Sequence, residues 1–393
     1  MKEAGDIRVD AVPLGTTEGT GTVRAAAGGR LCVRTRGRVE VHDREAYLAG
    51  VREPVGAYEP PPGARAEPAP DGGFVVAGPS YVRAVAADGT VRWELGHDTW
   101  HGSHRPPRAP GAPAASPCGR FVAATVPTPL DTEEVARRAA PPHDGPPRRG
   151  YGQDRLLLLD AVTGDVRAEQ PVAAVSGSLS LRWQEDGRLL GASFWTAWYG
   201  WASYWMEPSE HGLRIVGGGP DRHELAGFVP RSSRLVTMCR AEHMSLDDDR
   251  YELALHDTAD AHPTAVLDLN ELSWDAENDD FGHAYPLDEA HVLVTADWVP
   301  RHGPMERTHW LLASGSLRPL GRLRYPHPVM EAVTALGDGT WLTRDGDRLH
   351  HWGLAGPAGP REGAPRPGAP DADADGGPSP ARRAASGPGP SPE

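Results

Sequence analysis

Lysine is nearly absent from this chain. Lys2 is the only one, so the basic residues, 40 in all, are otherwise arginine. They are outnumbered by 54 acidic residues, for a formal net charge of −14. A surface of that sign repels the phosphate backbone of nucleic acid, whose binding needs clustered positive charge. It repels an anionic membrane for the same reason. Neither nucleic acid nor membrane is therefore expected as a partner. Cysteine is scarce too: Cys32, Cys118 and Cys239 are odd in number, far apart and form no Cys-x-x-Cys pair. That excludes a disulfide framework and a cysteine-based metal finger, and three reduced thiols fit a cytoplasmic protein. Long apolar runs are also missing. Met1-Lys2-Glu3-Ala4-Gly5-Asp6 lacks the ~7–15-residue apolar stretch of a signal peptide. Nothing approaches the ~18 apolar residues of a membrane helix. A cytoplasmic location is the expectation.

The familiar catalytic signatures are absent as well. There is no phosphate-cradling GxxxxGK[ST] loop, no GxSxG elbow and no HExxH helix. Gly217-Gly218-Gly219 has no helix after it and reads as a turn.

What the sequence has in quantity is turn chemistry, with 47 glycines and 40 prolines. Part of this lies in residues 356–393, where Gly, Pro, Ala, Asp and Ser crowd out large apolar side chains. Such a stretch cannot bury enough surface to offset chain entropy, so we expect a disordered tail there and a folded domain over 1–355.

Within 1–355 a tight turn followed by a short apolar strand recurs. The instances are Gly28-Gly29-Arg30, Asp71-Gly72-Gly73, Cys118-Gly119-Arg120, Asp186-Gly187-Arg188, Ser232-Ser233-Arg234, Asp288-Glu289-Ala290 and Asp338-Gly339-Thr340. Their spacing is close to the ~40–50 residues of a four-stranded propeller blade. The longest gaps, after Gly119 and after Ser233, hold insertions. Hairpins follow the anchor strands, at 81–86 with 91–95, 155–160 with 165–169, and 251–256 with 265–269. The last unit, 331–354, offers only three strands, and residues 7–12 precede the first unit without a partner. The expected fold is thus an all-β, seven-bladed β-propeller of four-stranded antiparallel blades. An N-terminal strand, 7–12 against 348–353, closes it in the last blade and removes an exposed sheet edge.

Three segments also resemble known propeller repeats. Ser116-Pro117-Cys118-Gly119-Arg120 is similar to the SPDGR turn of bacterial WD-repeat-like propellers, with Cys118 in place of Asp. Leu158-Leu159-Asp160-Ala161-Val162-Thr163-Gly164-Asp165-Val166 resembles the LLDAxTGxV hairpin of WD-repeat and quinoprotein-like propellers, and 85–93 resembles a quinoprotein-like repeat. The Gly-His and Trp-Asp signatures of eukaryotic WD repeats are largely missing. The whole resembles the WD-repeat-like propellers of high-GC actinobacteria, a resemblance that implies a fold and no activity. A quinone cofactor is not expected, because the Trp that the resemblance would place after the Thr-Gly hairpin is replaced near Gln170. No cofactor of any kind is expected.

In such a fold, with strands lettered a to d outward, the d-to-a and b-to-c connections open on one face. The a-to-b and c-to-d turns open on the other. Six long segments, 96–112, 127–151, 196–201, 241–249, 272–280 and 299–308, all fall on the first face. Loops held by a rigid scaffold are where binding groups concentrate. The candidates there are His97, Asp98, Trp100, His101 and His104 on one loop, and Trp198 and Trp201 on another. His97, His101 and His104 are weak metal candidates, since loop spacing does not impose converging geometry, and no metal site is expected. Trp198 and Trp201 offer large rigid area to a partner. Segment 127–151 reads as carrying a short helix capped by Asp131 and stopped at Pro141-Pro142. The runs Asp247-Asp248-Asp249 and Glu277-Asn278-Asp279-Asp280 read as a solvated acidic rim without the spacing of a calcium loop. The functional expectation is a monomeric, non-catalytic interaction scaffold that binds a protein or peptide partner on the long-loop face. The alternative is an enzyme or a small-molecule or metal binder that uses the channel mouth on the same face.

Overall fold

The computed structural model describes residues 7–100, 109–129, 154–172, 179–195, 201–220, 222–239, 251–260, 262–272, 279–298, 306–329 and 333–355. It is built almost entirely of strands. The chain opens with β1 (Arg8–Glu18). Blade one follows as β2 (Thr22–Ala26), β3 (Arg30–Arg34), β4 (Val39–Asp43) and β5 (Gly56–Tyr58), with a short helix α1 (Arg44–Leu48) between β4 and β5. Blade two is β6 (Arg65–Pro68), β7 (Phe74–Ala77), β8 (Tyr81–Val85) and β9 (Val91–Gly96). Blade three is β10 (Pro113–Ala115), β11 (Phe121–Pro127), β12 (Asp154–Asp160) and β13 (Val166–Val172). Blade four is β14 (Leu179–Trp183), β15 (Leu190–Trp195), β16 (Trp201–Ser209) and β17 (Gly212–Gly218). Blade five is β18 (His223–Phe228), β19 (Arg234–Cys239), β20 (Glu252–Asp257) and β21 (Pro263–Asp268). Blade six is β22 (Asp279–Pro286), β23 (His291–Trp298), β24 (Glu306–Ala313) and β25 (Pro319–Arg324). Blade seven is β26 (Val333–Ala335), β27 (Trp341–Asp345) and β28 (Arg348–Leu354), completed by β1.

All seven recurring turns join an innermost strand to the next one out. The reason is local. Gly72, Gly119, Gly187 and Gly339 sit at φ of 87°, 69°, 74° and 90°, which a residue with a Cβ adopts only under strain. The middle strands are covered on both faces by neighbouring blades and read as apolar runs, such as the buried Leu156–Leu159 of β12. The outermost strands alternate instead, as β21 does.

Most of the buried apolar side chains described fall into seven clusters, and each cluster lies between two successive blades. Val75 and Trp93 meet Val122 and Leu157 between blades two and three. Leu31 and Val33 meet Leu342 and Leu349 between blades one and seven. Seven gaps with a core in each make a closed ring.

The closing strand is where the sequence suggests it, but it is longer. Arg8–Asp10 runs parallel to Arg322–Arg324 of β25. From Ala11 to Glu18 the strand is antiparallel to β28, with a register irregularity between Pro13 and Gly15. The expected span of 7–12 thus stops short by six residues and misses the contact with blade six. Pro13 and Gly15 hide the strand in the sequence: proline lacks a ladder donor and glycine lacks a side chain to pack. The pairing with β28 imposes the order that local propensity does not.

The Thr-Gly hairpin of blade three has a second role. The Trp93 indole of blade two donates to the Ala161 carbonyl at 3.0 Å. Gly164, at φ 77°, lies against that ring, and a Cβ there would come within 2.6 Å of it. The motif therefore locks one blade onto the next.

Candidate functional site

Strand ends fix where the long connections leave the sheet. Pro127 pairs with Asp154, Trp195 with Trp201, Cys239 with Glu252 and Trp298 with Glu306. In blades three to six, then, the b-to-c segments depart and return at the same end, on the face shared with the d-to-a connections. Blades one, two and seven turn back quickly at that end. Thr35 donates to Arg38 O at 3.0 Å, Gly78 donates to Tyr81 O at 2.8 Å, and Gly346 and Asp347 alone separate β27 from β28.

The rule that every expansion lies on this face needs one correction. Residues 44–55 form an expanded c-to-d connection on the opposite face, carrying α1. Asp43 caps it by accepting from Ala46 N at 2.9 Å. Its Tyr47 is buried against Leu349 of blade seven, so it braces the ring seam rather than standing free. The sequence 44–55 contains Arg, Glu and Pro and gives no sign of that packing.

The predicted site residues divide as follows. Asp98 is exposed and His97 half-buried, its Nδ1 2.7 Å from the Asp98 carbonyl oxygen. Burial holds the His97 imidazole below its ordinary pKa. Its ring meets Trp100 edge-on at 5.6 Å. Trp100 is buried, and its indole donates to the buried Asp154 carboxylate at 2.9 Å. The structure thus brings His97, Trp100 and Asp154 together, and Asp154 was not foreseen. Trp201 opens β16 opposite Trp195 and is half-buried. His101, His104 and Trp198 lie outside the described residues, as do the expected helix in 127–151 and the Asp247–Asp249 run. Among the described residues, no three His, Cys, Asp or Glu side chains are grouped to hold a metal ion. Cys32 is buried, which pushes its thiol pKa up to about 11, Cys239 is buried as well, and Cys118 is exposed. None of the three is in a disulfide.

Sequence reading missed the arginines of the inner strands. Arg24 on β2, Arg65 on β6 and Arg182 on β14 are all exposed, although protein rings them closely enough that burial depresses the pKa of Arg65 and Arg182. All three stand on the innermost strands of their blades. Arg34 reaches from β3 to blade two, 2.6 Å from Glu67 Oε1, and donates to Ala66 O. Arg24 stands 3.8 Å from the same Glu67 oxygen. Arg182 donates to Ala226 O at 2.8 Å, and Glu224 of β18 is 3.9 Å from His283 of β22. Spread over positions 24 to 283, these groups leave no local motif.

No protein-family model and no curated protein matches the chain. Similar solved structures do exist. A chain of a structure described as "Mitotic Checkpoint Complex" is 12% identical with a TM-score of 0.48, covering 87% of this chain and 94% of that one. The Pan2 WD40 domain of Neurospora crassa is 12% identical with a TM-score of 0.46, covering 88% and 96%. BamB from Moraxella catarrhalis is 12% identical with a TM-score of 0.46, covering 85% of each. The assignment of the fold here rests on the sheet order and the seven inter-blade cores.

Proposed function

We propose that this chain is a non-catalytic interaction scaffold that binds a protein or peptide partner on the face where the b-to-c connections open. The observation that carries the reading is the placement of the long b-to-c segments. Four successive blades, three to six, return them at that face, while the a-to-b turns opposite are tight in every blade. A closed ring with a core in each gap is rigid, so segments anchored on it are presented at small entropic cost. Trp201, at the foot of one such segment, and Trp198 within it are the proposed anchors. Truncating a buried interface Trp costs ~2–4 kcal/mol of binding, against under ~0.5 kcal/mol of stability at an idle exposed site. The double variant Trp198→Ala with Trp201→Ala is therefore expected to lose a partner captured by the wild type while its melting temperature stays nearly unchanged. A fall of several degrees with capture intact would show that these rings serve the local core instead.

A second reading, a small-molecule binder at the channel mouth, is favoured by one specific observation: Arg24, Arg65 and Arg182, all on innermost strands, are exposed.

A further inference from the structure

We propose that the innermost strands of blades one and two hold a small multivalent oxyanion between Arg24, Arg34 and Arg65, with Arg182 of blade four across the ring axis from it. The inference names the ligand class of the channel-mouth reading and rests on it. It does not depend on the scaffold reading.

The axis of a propeller is lined by its innermost strands, here β2 in blade one, β6 in blade two and β14 in blade four among others. Arg24 stands on β2, Arg65 and Glu67 on β6, and Arg182 on β14. Residues two apart on a strand share a face, so Arg65 and Glu67 lie on the same side of β6. The Glu67 carboxylate is where the basic groups meet. Arg34, from β3, lies 2.6 Å from its Oε1, and Arg24 lies 3.8 Å from the same oxygen. Arg34 also donates to the carbonyl of Ala66, which fixes its fork beside β6. Three guanidinium groups thus share one carboxylate.

The charges there do not cancel. Arg34 takes the short contact with Glu67 and leaves Arg24 the long one. Arg65 has no hydrogen-bond or ion-pair partner among the described residues. Burial depresses its pKa, and Arg34 and Arg24 push the same way against the pull of Glu67. Arg182 donates to Ala226 O at 2.8 Å, a contact that orients the guanidinium and leaves its charge standing. Glu224 attracts Arg182 and Arg24 repels it. Blades one and four are not neighbours in the ring, so that repulsion acts across the axis. Among the described residues, four guanidinium groups therefore answer to two carboxylates, Glu67 and Glu224. An occupant with a single negative charge would leave part of that excess standing, whereas one with two or more offsets it. Guanidinium forks match pairs of ionised oxygens, and walls of one charge sign focus the field on such a ligand. An open cleft of about 500 Å³, whose lining includes Thr22, Arg34 and Thr35, adjoins the cluster through Arg34. Its volume lies in the ~300–1,000 Å³ range of sites for small organic ligands. A phosphorylated or polycarboxylate molecule therefore fits in both charge and size.

The test titrates the full chain with pyrophosphate and with citrate by calorimetry at low ionic strength, and with glucose as an uncharged probe. Arg24→Gln is the informative variant, because the Arg24 side chain is 62% exposed and its contact with Glu67 is the long one. Arg65→Gln is the second variant. Arg188→Ala, exposed in the a-to-b turn of blade four on the opposite face, is the control. We expect at least one anion to bind with a stoichiometry of one and to weaken with added salt. Affinity should fall at least ~10-fold in Arg24→Gln and in Arg65→Gln, the loss of a charge-assisted hydrogen bond, and stay unchanged in Arg188→Ala. The anion that binds separates phosphate from carboxylate chemistry. The proposal is overturned if neither anion binds at millimolar concentration, or if a channel variant that melts like the wild type binds as tightly. Glucose tells the two failures apart. If it binds and Arg24→Gln weakens it, while neither anion binds, the oxyanion is wrong and the channel-mouth reading stands.

Discussion

Acidification is expected to weaken this propeller through one side chain, His223. It opens β18 and is almost wholly buried. Its Nδ1 lies 3.0 Å from Thr237 Oγ1, and the same hydroxyl lies 3.0 Å from His256 Nε2. The Trp205 ring of blade four packs on His256 at 5.1 Å. Burial, and then the neighbouring His256 ring, push the His223 pKa down to about 4. In the unfolded chain the imidazole titrates near ~6.5, so as the pH falls the unfolded state takes the proton first. The stability His223 contributes is complete above pH ~6.5 and drains away as the pH drops towards the folded value.

At ~1.4 kcal/mol per pH decade, the loss reaches about 2–3 kcal/mol near pH 4.5. Glu252, 3.4 Å from Nε2, offsets part of it and favours the lower end, although its 33% exposure lets water screen that offset. Urea unfolding followed by tryptophan fluorescence at pH 7.5 and at pH 4.5 measures the change. His223→Gln keeps a polar partner for Thr237 and cannot titrate. The wild type should lose about 2 kcal/mol more than this variant between the two pH values, with the histidines distant from His223 cancelling in the difference. Parallel losses within ~0.5 kcal/mol in the two proteins would refute the reasoning and put the acid sensitivity elsewhere.

Two further predictions follow from the ring. Deleting residues 1–12 removes the pairing with β25 but leaves Gly15–Glu18 on β28, whereas deleting 1–18 removes the outer strand of blade seven altogether and leaves one edge of β28 unpaired. Calorimetry should therefore show two steps of destabilisation, and a wild-type melting temperature after the longer deletion would refute the closure. Removing 356–393, which we propose adds nothing to the core, should leave the melting temperature unchanged. Gly164→Ala places a Cβ at φ 77° and 2.6 Å from the Trp93 ring; it should cost at least about 1–2 kcal/mol, read as a lowered melting temperature.

The parts of this fold that could be read from the sequence are those with a local cause. A tight turn that needs positive φ selects glycine, so Gly72, Gly119, Gly187 and Gly339 announce themselves. The turn of blade five is an exception: Arg231, not a glycine, takes the positive φ of 53° before Ser232 and Ser233, and only the spacing reveals it. The second half of β1 could not be read, because its partner lies more than 300 residues away and its own sequence argues against a strand. The buried pair of histidines in blade five was equally hidden. His223 and His256 meet only through Thr237, on the strand between theirs.

The site divides on the same principle. The loop at 97–104 drew attention as a dense local cluster, yet its Trp100 turns inward to a partner, Asp154, that lies beyond the long insertion. The arginines of the channel mouth came from four distant stretches, each an unremarked polar position on a strand or turn. Net charge also concealed them. A value of −14 describes the far field of the whole molecule. Exposed charges more than ~8–10 Å apart are largely screened at physiological ionic strength, so Arg24 and Arg34 answer to Glu67 beside them rather than to acidic residues elsewhere.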